Sequence, residues 1–136
     1  MAADGAWREF SIRTRQRSEL VELTDQVNHL LADAGIRQGV CQLSVLHTTA
    51  ALLVNEAEPG LIEDLLRTLD RLIPADPAYA HPDGNGHAHM KAALLGSSKT
   101  LSIRDGRLLL GTWQSLFLVE FDGPRERQLV LQLLSA

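Results

Sequence analysis

The period of the apolar pattern changes several times along this chain, and the order of the changes restricts the fold more than any single motif. Trp7 to Arg13 alternates, with Phe10 and Ile12 on one parity, which is strand spacing. Ser18 then precedes Leu20, Leu23, Val27, Leu30 and Leu31 at helical spacing. Glu19 and Glu22 fall in the predicted first turn, where the helix dipole favours anions, and Gly35 falls where a helix ends. Val40 to His47 reads as a strand, and Ala50 to Glu56 as another or as its continuation past Thr48-Thr49. Pro59 suits the first position of a second helix, which carries Leu61, Leu65, Leu69 and Leu72 on one stripe and stops at Pro74. A Pro- and Gly-punctuated loop follows to Gly86, then a short helix from about Ala88 to Leu95. The last third is β-rich: Lys99 to Arg104 and Arg107 to Leu110 flank the hairpin signal Asp105-Gly106, and Trp113 to Phe121 and Arg127 to Leu134 add two strands. This order is not the regular alternation of a doubly wound sheet. It predicts an α+β fold: a sandwich-like mixed or antiparallel sheet packed with two main helices and one short helix, in one domain of 136 residues.

Composition narrows the function classes. With 13 basic and 17 acidic residues the net charge is −4, so bulk charge does not grip nucleic acid. No apolar run is long enough to span a bilayer, so no membrane partner is expected. Cys41 is the only cysteine, which forbids an internal disulfide and suits a reduced compartment. The opening residues Met1 to Gly5 do not read as a secretory signal, and the expected location is the cytoplasm.

Several polar residues stand out against the apolar pattern. His47 shares strand parity with Cys41, Leu43 and Val45, and Glu56 shares it with Leu52 and Val54. Each closes an apolar face and suggests a pocket rim; alternatively His47 is a core-edge histidine bonded to a carbonyl, and Glu56 is solvated beyond its strand. The stretch Tyr79 to His89 holds three of the five histidines, His81, His87 and His89, beside Gly84 and Gly86. A helix start there offers free N–H groups to an anion and biases a histidine towards its neutral, metal-binding form. The competing reading is a polar surface loop. Gln114 lies on a mostly apolar strand, where it faces either a site or water. Arg125 follows the turn Asp122-Gly123-Pro124 and is anion-binding or solvated; Lys91 and Lys99 read as solvated, and Cys41 as a buried thiol.

Three blocks then carry a resemblance. His47-Thr48-Thr49-Ala50-Ala51-Leu52 with Asn55-Glu56 resembles the first block of the YjbQ-like family. Tyr79, His81 and Asp83 to His89, with Lys91 and Leu95-Gly96, resembles the second. Asp105-Gly106-Arg107, Leu110 to Gln114, and Glu120 to Arg125 resemble the third. The blocks keep the family's order and spacing and cover nearly the whole chain. The resemblance implies a sandwich-like α+β fold, a homotrimer with pockets near subunit contacts, and a secondary thiamine-phosphate synthase activity that joins a pyrimidine pyrophosphate to a thiazole phosphate and releases pyrophosphate. It also implies a divalent metal ion, Zn or Mg, held by His47, His81 and His89. His87 belongs to only part of the family, and Asn85 stands where some relatives carry an acid.

The resulting expectation is an enzyme acting on a small phosphorylated substrate, with His47, Glu56 and His89 catalytic and Thr48, Asn55, Asn85, Gln114 and Arg125 binding substrate. Its partners would be a small phosphorylated molecule or an inorganic anion, and further copies of itself. The alternative is a non-catalytic trimeric binding protein for a phosphorylated metabolite or metal; a third reading is a purely structural role.

Overall fold

The computed structural model describes residues 6–136; Met1 to Gly5, on which the reading of a missing secretory signal rests, lie outside the described residues. The strands are β1 (Trp7–Arg13), β2 (Glu19–Glu22), β3 (Gly39–Val45), β4 (Ala50–Asn55), β5 (Ser98–Arg104), β6 (Arg107–Leu108), β7 (Ser115–Glu120) and β8 (Glu126–Ser135). The helices are α1 (Thr24–Ala34), α2 (Pro59–Leu72) and α3 (Gly86–Leu95). Two antiparallel sheets form, one of order β1-β8-β3-β5-β6 and one of order β2-β7-β4. The fold is α+β, as the pattern predicts.

Both sheets contribute to a shared core. Leu43, Leu129, Leu131 and Leu133 of the larger sheet meet Leu52, Leu116 and Leu118 of the smaller one, and Leu23, Val27 and Leu31 join this core from α1 and the residue before it. The opposite face of the smaller sheet is also covered. Ala51, Val119 and Phe121 pack with Leu69 of α2 and with Ala88 and Ala92 of α3. Burial on both faces explains why β7 reads as an unbroken apolar run rather than an alternation.

One element departs from expectation. Glu19 to Glu22 do not open the first helix; they form β2, paired with β7. Leu20 and Leu23 suit both a helix face and this edge strand, and the register Leu20↔Val119 shows which contact prevails. The Glu19 carboxylate accepts the Arg15 and Gln16 N–H groups at 2.6 and 3.0 Å instead of facing a helix dipole. α1 therefore starts at Thr24 and closes, as predicted, at Gly35 with φ +73°. Pro59 does open α2, whose N-terminal amides of Gly60 and Leu61 donate to the Glu58 carboxylate, each at 2.8 Å. Among the described residues no helix is long and apolar enough to cross a membrane.

Candidate functional site

The chain passes between the two sheets at one end of the sandwich, and the polar residues gather there. The β3–β4 link carries Leu46 to Thr49, and the β7–β8 link carries Phe121 to Arg125. Arg127 shares β8 parity with Leu129 and Leu131, and Glu120 shares β7 parity with Leu116 and Leu118, so both point into the sandwich. Arg127 is 2% and Glu120 0% exposed. The guanidinium donates through Nε to Glu120 Oε1 at 2.8 Å and through Nη2 to Glu120 Oε2 and Thr49 Oγ1, the last at 2.9 Å. Thr14 Oγ1 donates to Glu120 Oε1 at 2.7 Å, and the Asp122 N–H to Oε2 at 2.9 Å. Burial alone would raise the Glu120 carboxyl, but these bonds, led by Arg127, hold it below the ordinary range. The pair thus ties both crossover links to both sheets.

Above this base lies a cavity of about 660 Å³, within the size range of small-molecule sites. Its walls include His47, Thr48 and Thr49 from one link, Asp122, Arg125 and Arg127 from the other side, and Arg13 at the end of β1. Asn85 and His89 of the α3 segment complete it.

His47 is fixed by the backbone. Its Nε2 accepts the Gln128 N–H at 2.8 Å, so in the neutral ring the proton sits on Nδ1. Desolvation, then the positive Arg127 and Arg125, lower its pKa despite an opposing pull from Glu120. His47 is therefore a neutral hydrogen-bond donor. The His89 ring packs edge-on against His81, centroids 4.6 Å apart, and the chain leaves its nitrogens free among the described residues. Arg125 is aimed by Asp122: Arg125 Nη2 donates to Asp122 Oδ2 at 3.1 Å and Nε to its carbonyl at 2.8 Å. Asn85 Nδ2 donates to the same Oδ2 at 2.9 Å, joining the start of α3 to the turn. Burial would raise Asp122, but Asn85 and Arg125 outweigh it and keep it ionised. Asn85 Oδ1 is buried with no partner in the chain. Gly123 has no room for a side chain, since a Cβ would lie 2.2 Å from the Gln16 carbonyl oxygen.

His47, Thr48, Asn85, His89 and Arg125 thus share one cavity. Asn55 and Glu56 do not. They sit at the far end of β4, roughly 17 Å from its start at 3.3 Å per residue. Gln114 is also elsewhere: its Oε1 accepts the Gly111 N–H at 2.8 Å and closes the turn before β7. Parity showed that these residues end apolar faces but not which end of the sandwich they occupy. His81 lies outside the cavity wall, against His89 and 3.6 Å from Asp83. His87 and Lys91 face away. Lys91 is not solvated but 1% exposed, with Nζ 2.5 Å from Asp70 Oδ1 and 3.2 Å from His87 Nδ1. The sequence reading gave no weight to Arg13 or to the inward side of Arg127, and Thr49, Glu120 and Asp122 stood in the family blocks without a site role. Arg127 was detectable, as a charge on the buried parity of β8.

Among the described residues no three His, Cys, Asp or Glu side chains converge as a metal set. His47 Nε2 is already taken. As placed, His47, His81 and His89 do not converge on one point as a zinc set would.

The fold and cavity define a class: a two-sheet α+β sandwich with a polar cavity where its sheets are joined. Within that class, the chain belongs to the UPF0047 YjbQ-like family, whose sequence model matches residues 8–136. It is 39% identical over 127 residues to a UPF0047 protein of Methanocaldococcus jannaschii, covering 93% of this chain and 92% of that one. With YugU of Bacillus subtilis the identity is 36% over 129 residues, covering 93% and 98%. A crystal structure of a YbjQ-like protein of unknown function from Sulfolobus solfataricus superposes with a TM-score of 0.92 at 39% identity, covering 96% and 97%. These findings correct the functional expectation. The relatives carry only the UPF0047 family name, and the Sulfolobus protein is one of unknown function. Thiamine-phosphate synthesis on phosphorylated substrates is therefore not ascribed to this chain.

Proposed function

We propose that this protein binds a small oxyanion-bearing molecule in the His47–His89 cavity and that His89 exchanges a proton with it. The observation that carries this reading is the convergence of two imidazoles and three arginines, from β1, the β3–β4 link, α3 and the segment leading into β8, on one cavity. Arg125 supplies a fork held by Asp122, and the Nδ1–H of His47 supplies a fixed donor. His89 has its nitrogens free and serves as the group that takes or gives the proton. Calorimetric titration with inorganic phosphate tests this. Saturable binding should weaken roughly tenfold or more in Arg125→Gln and His47→Phe, on the scale of a lost charge-assisted hydrogen bond. Repeating it in buffers of different ionisation enthalpy should reveal proton uptake that vanishes in His89→Gln. Binding that none of the three variants changes would sink the proposal.

The homotrimer belongs to the same proposal. The outer face of the larger sheet carries Val40, Gln42, Thr100, Gln132 and Leu134 around a shallow groove without a charged lining residue, and Leu134 is 58% exposed. Such a face suits contact between copies better than open water. Light scattering should return three times the 14.9 kDa chain mass; a monomer at micromolar concentration would refute the trimer. A cytoplasmic location also remains proposed, and finding the chain outside the cytosolic fraction would refute it.

A further inference from the structure

The cavity has a neighbour of different chemistry. A second hollow of about 390 Å³ adjoins it and shares His47, Thr48 and His89 as walls. Beyond those three, its lining is Ala50, Ala92, Ala93, Gly96 and Ser97. No Asp, Glu, Lys or Arg lines it among the described residues, whereas the first cavity holds three arginines. Ala50 and Ala92 are buried and belong to the packed framework, while Ala93 is exposed on α3. Small side chains leave the space open; an uncharged lining gives a charged group no partner there. A hollow of about 150 Å³ already holds a benzene ring, so the space suffices for a planar ring or short branched chain.

We infer that the ligand is bipartite: an oxyanion head among Arg13, Arg125 and Arg127, and a compact uncharged tail between α3 and the start of β4. The inference rests on the oxyanion reading above and specifies its ligand class. The two imidazoles stand at the junction of the hollows, so the bond linking head to tail lies beside His47 and His89. Ala93 is then a specificity-determining position, because a larger side chain there fills the tail space without touching the head site.

Methanesulfonate and benzenesulfonate test this, since they share a permanently ionised head and differ only in the tail. Titrated calorimetrically against the full chain, benzenesulfonate should bind about tenfold tighter, the gain expected from burying one ring face. In Ala93→Leu, an exposed helical position that tolerates leucine, this preference should disappear while methanesulfonate binding stays within about twofold. Equal affinity of the two probes for the wild type overturns the tail site and leaves the oxyanion reading standing. A ring preference that survives Ala93→Leu places the tail elsewhere and also overturns it. Binding of neither probe overturns both.

Discussion

At His47 the Gln128 N–H occupies Nε2, and that single backbone bond decides which proton the ring offers. Nitrogen-15 NMR of the histidine rings should show His47 as the Nδ1–H tautomer at pH 7. A ring protonated on both nitrogens, or on Nε2, would contradict the assignment. His47 and His87 both have pKa values lowered in the fold, each mainly by desolvation. The unfolded chain then binds more protons than the native one between the ordinary histidine value of about 6.5 and the lower folded values. Stability from both groups is complete above about pH 6.5 and is lost as pH falls through the folded values. Urea melts between pH 8 and 5 should show this fall, and His87→Gln should flatten it; a stability that rises on acidification would refute it. At this scale the sequence was legible where a residue type is rare in its setting. His47 and His89 stood out because histidines punctuate apolar or glycine-rich stretches, and the family resemblance singled them out as site candidates. Lys91 was misread because its partners Asp70 and His87 come from another helix and from one turn earlier, and charge alone suggests solvent.

Among the elements, β7 and β8 matter most, because their inward charges fasten the two sheets together. Removing one member of the Glu120–Arg127 pair leaves a buried charge unmatched, which typically costs about 3–5 kcal/mol. Glu120→Gln and Arg127→Met should each lower stability on that scale in chemical denaturation, while the double variant should recover part of the loss. Additive single losses would mean that the two side chains act independently. The crossover turn is equally constrained, since Gly123→Ala must displace the Gln16 carbonyl and, with it, the Asp122–Arg125 arrangement. That variant should lose phosphate affinity through Arg125 although residue 123 lines no cavity wall. The hairpin between β5 and β6 was readable outright: Asp105 and Gly106 take φ of +54° and +81°, the left-handed pair that a two-residue turn requires. β2 was not readable, because four residues at an edge carry no period that separates strand from helix start.

The molecule as a whole places its site where the links between sheets cross, and this the pattern could not reveal. Periodicity reports which face of an element is buried, not which ends of different elements meet. The α+β class followed from element order, whereas the separation of Glu56 and Gln114 from His47 followed only from topology. The central claim is that His47, His89 and Arg125 form one anion site. The most direct measurement is a phosphate titration followed by NMR, observing the His47 and His89 ring signals together. Both should move along one saturable curve with one dissociation constant, and Arg125→Gln should weaken both equally. Two unrelated curves, or rings that stay still while other residues respond, would contradict it.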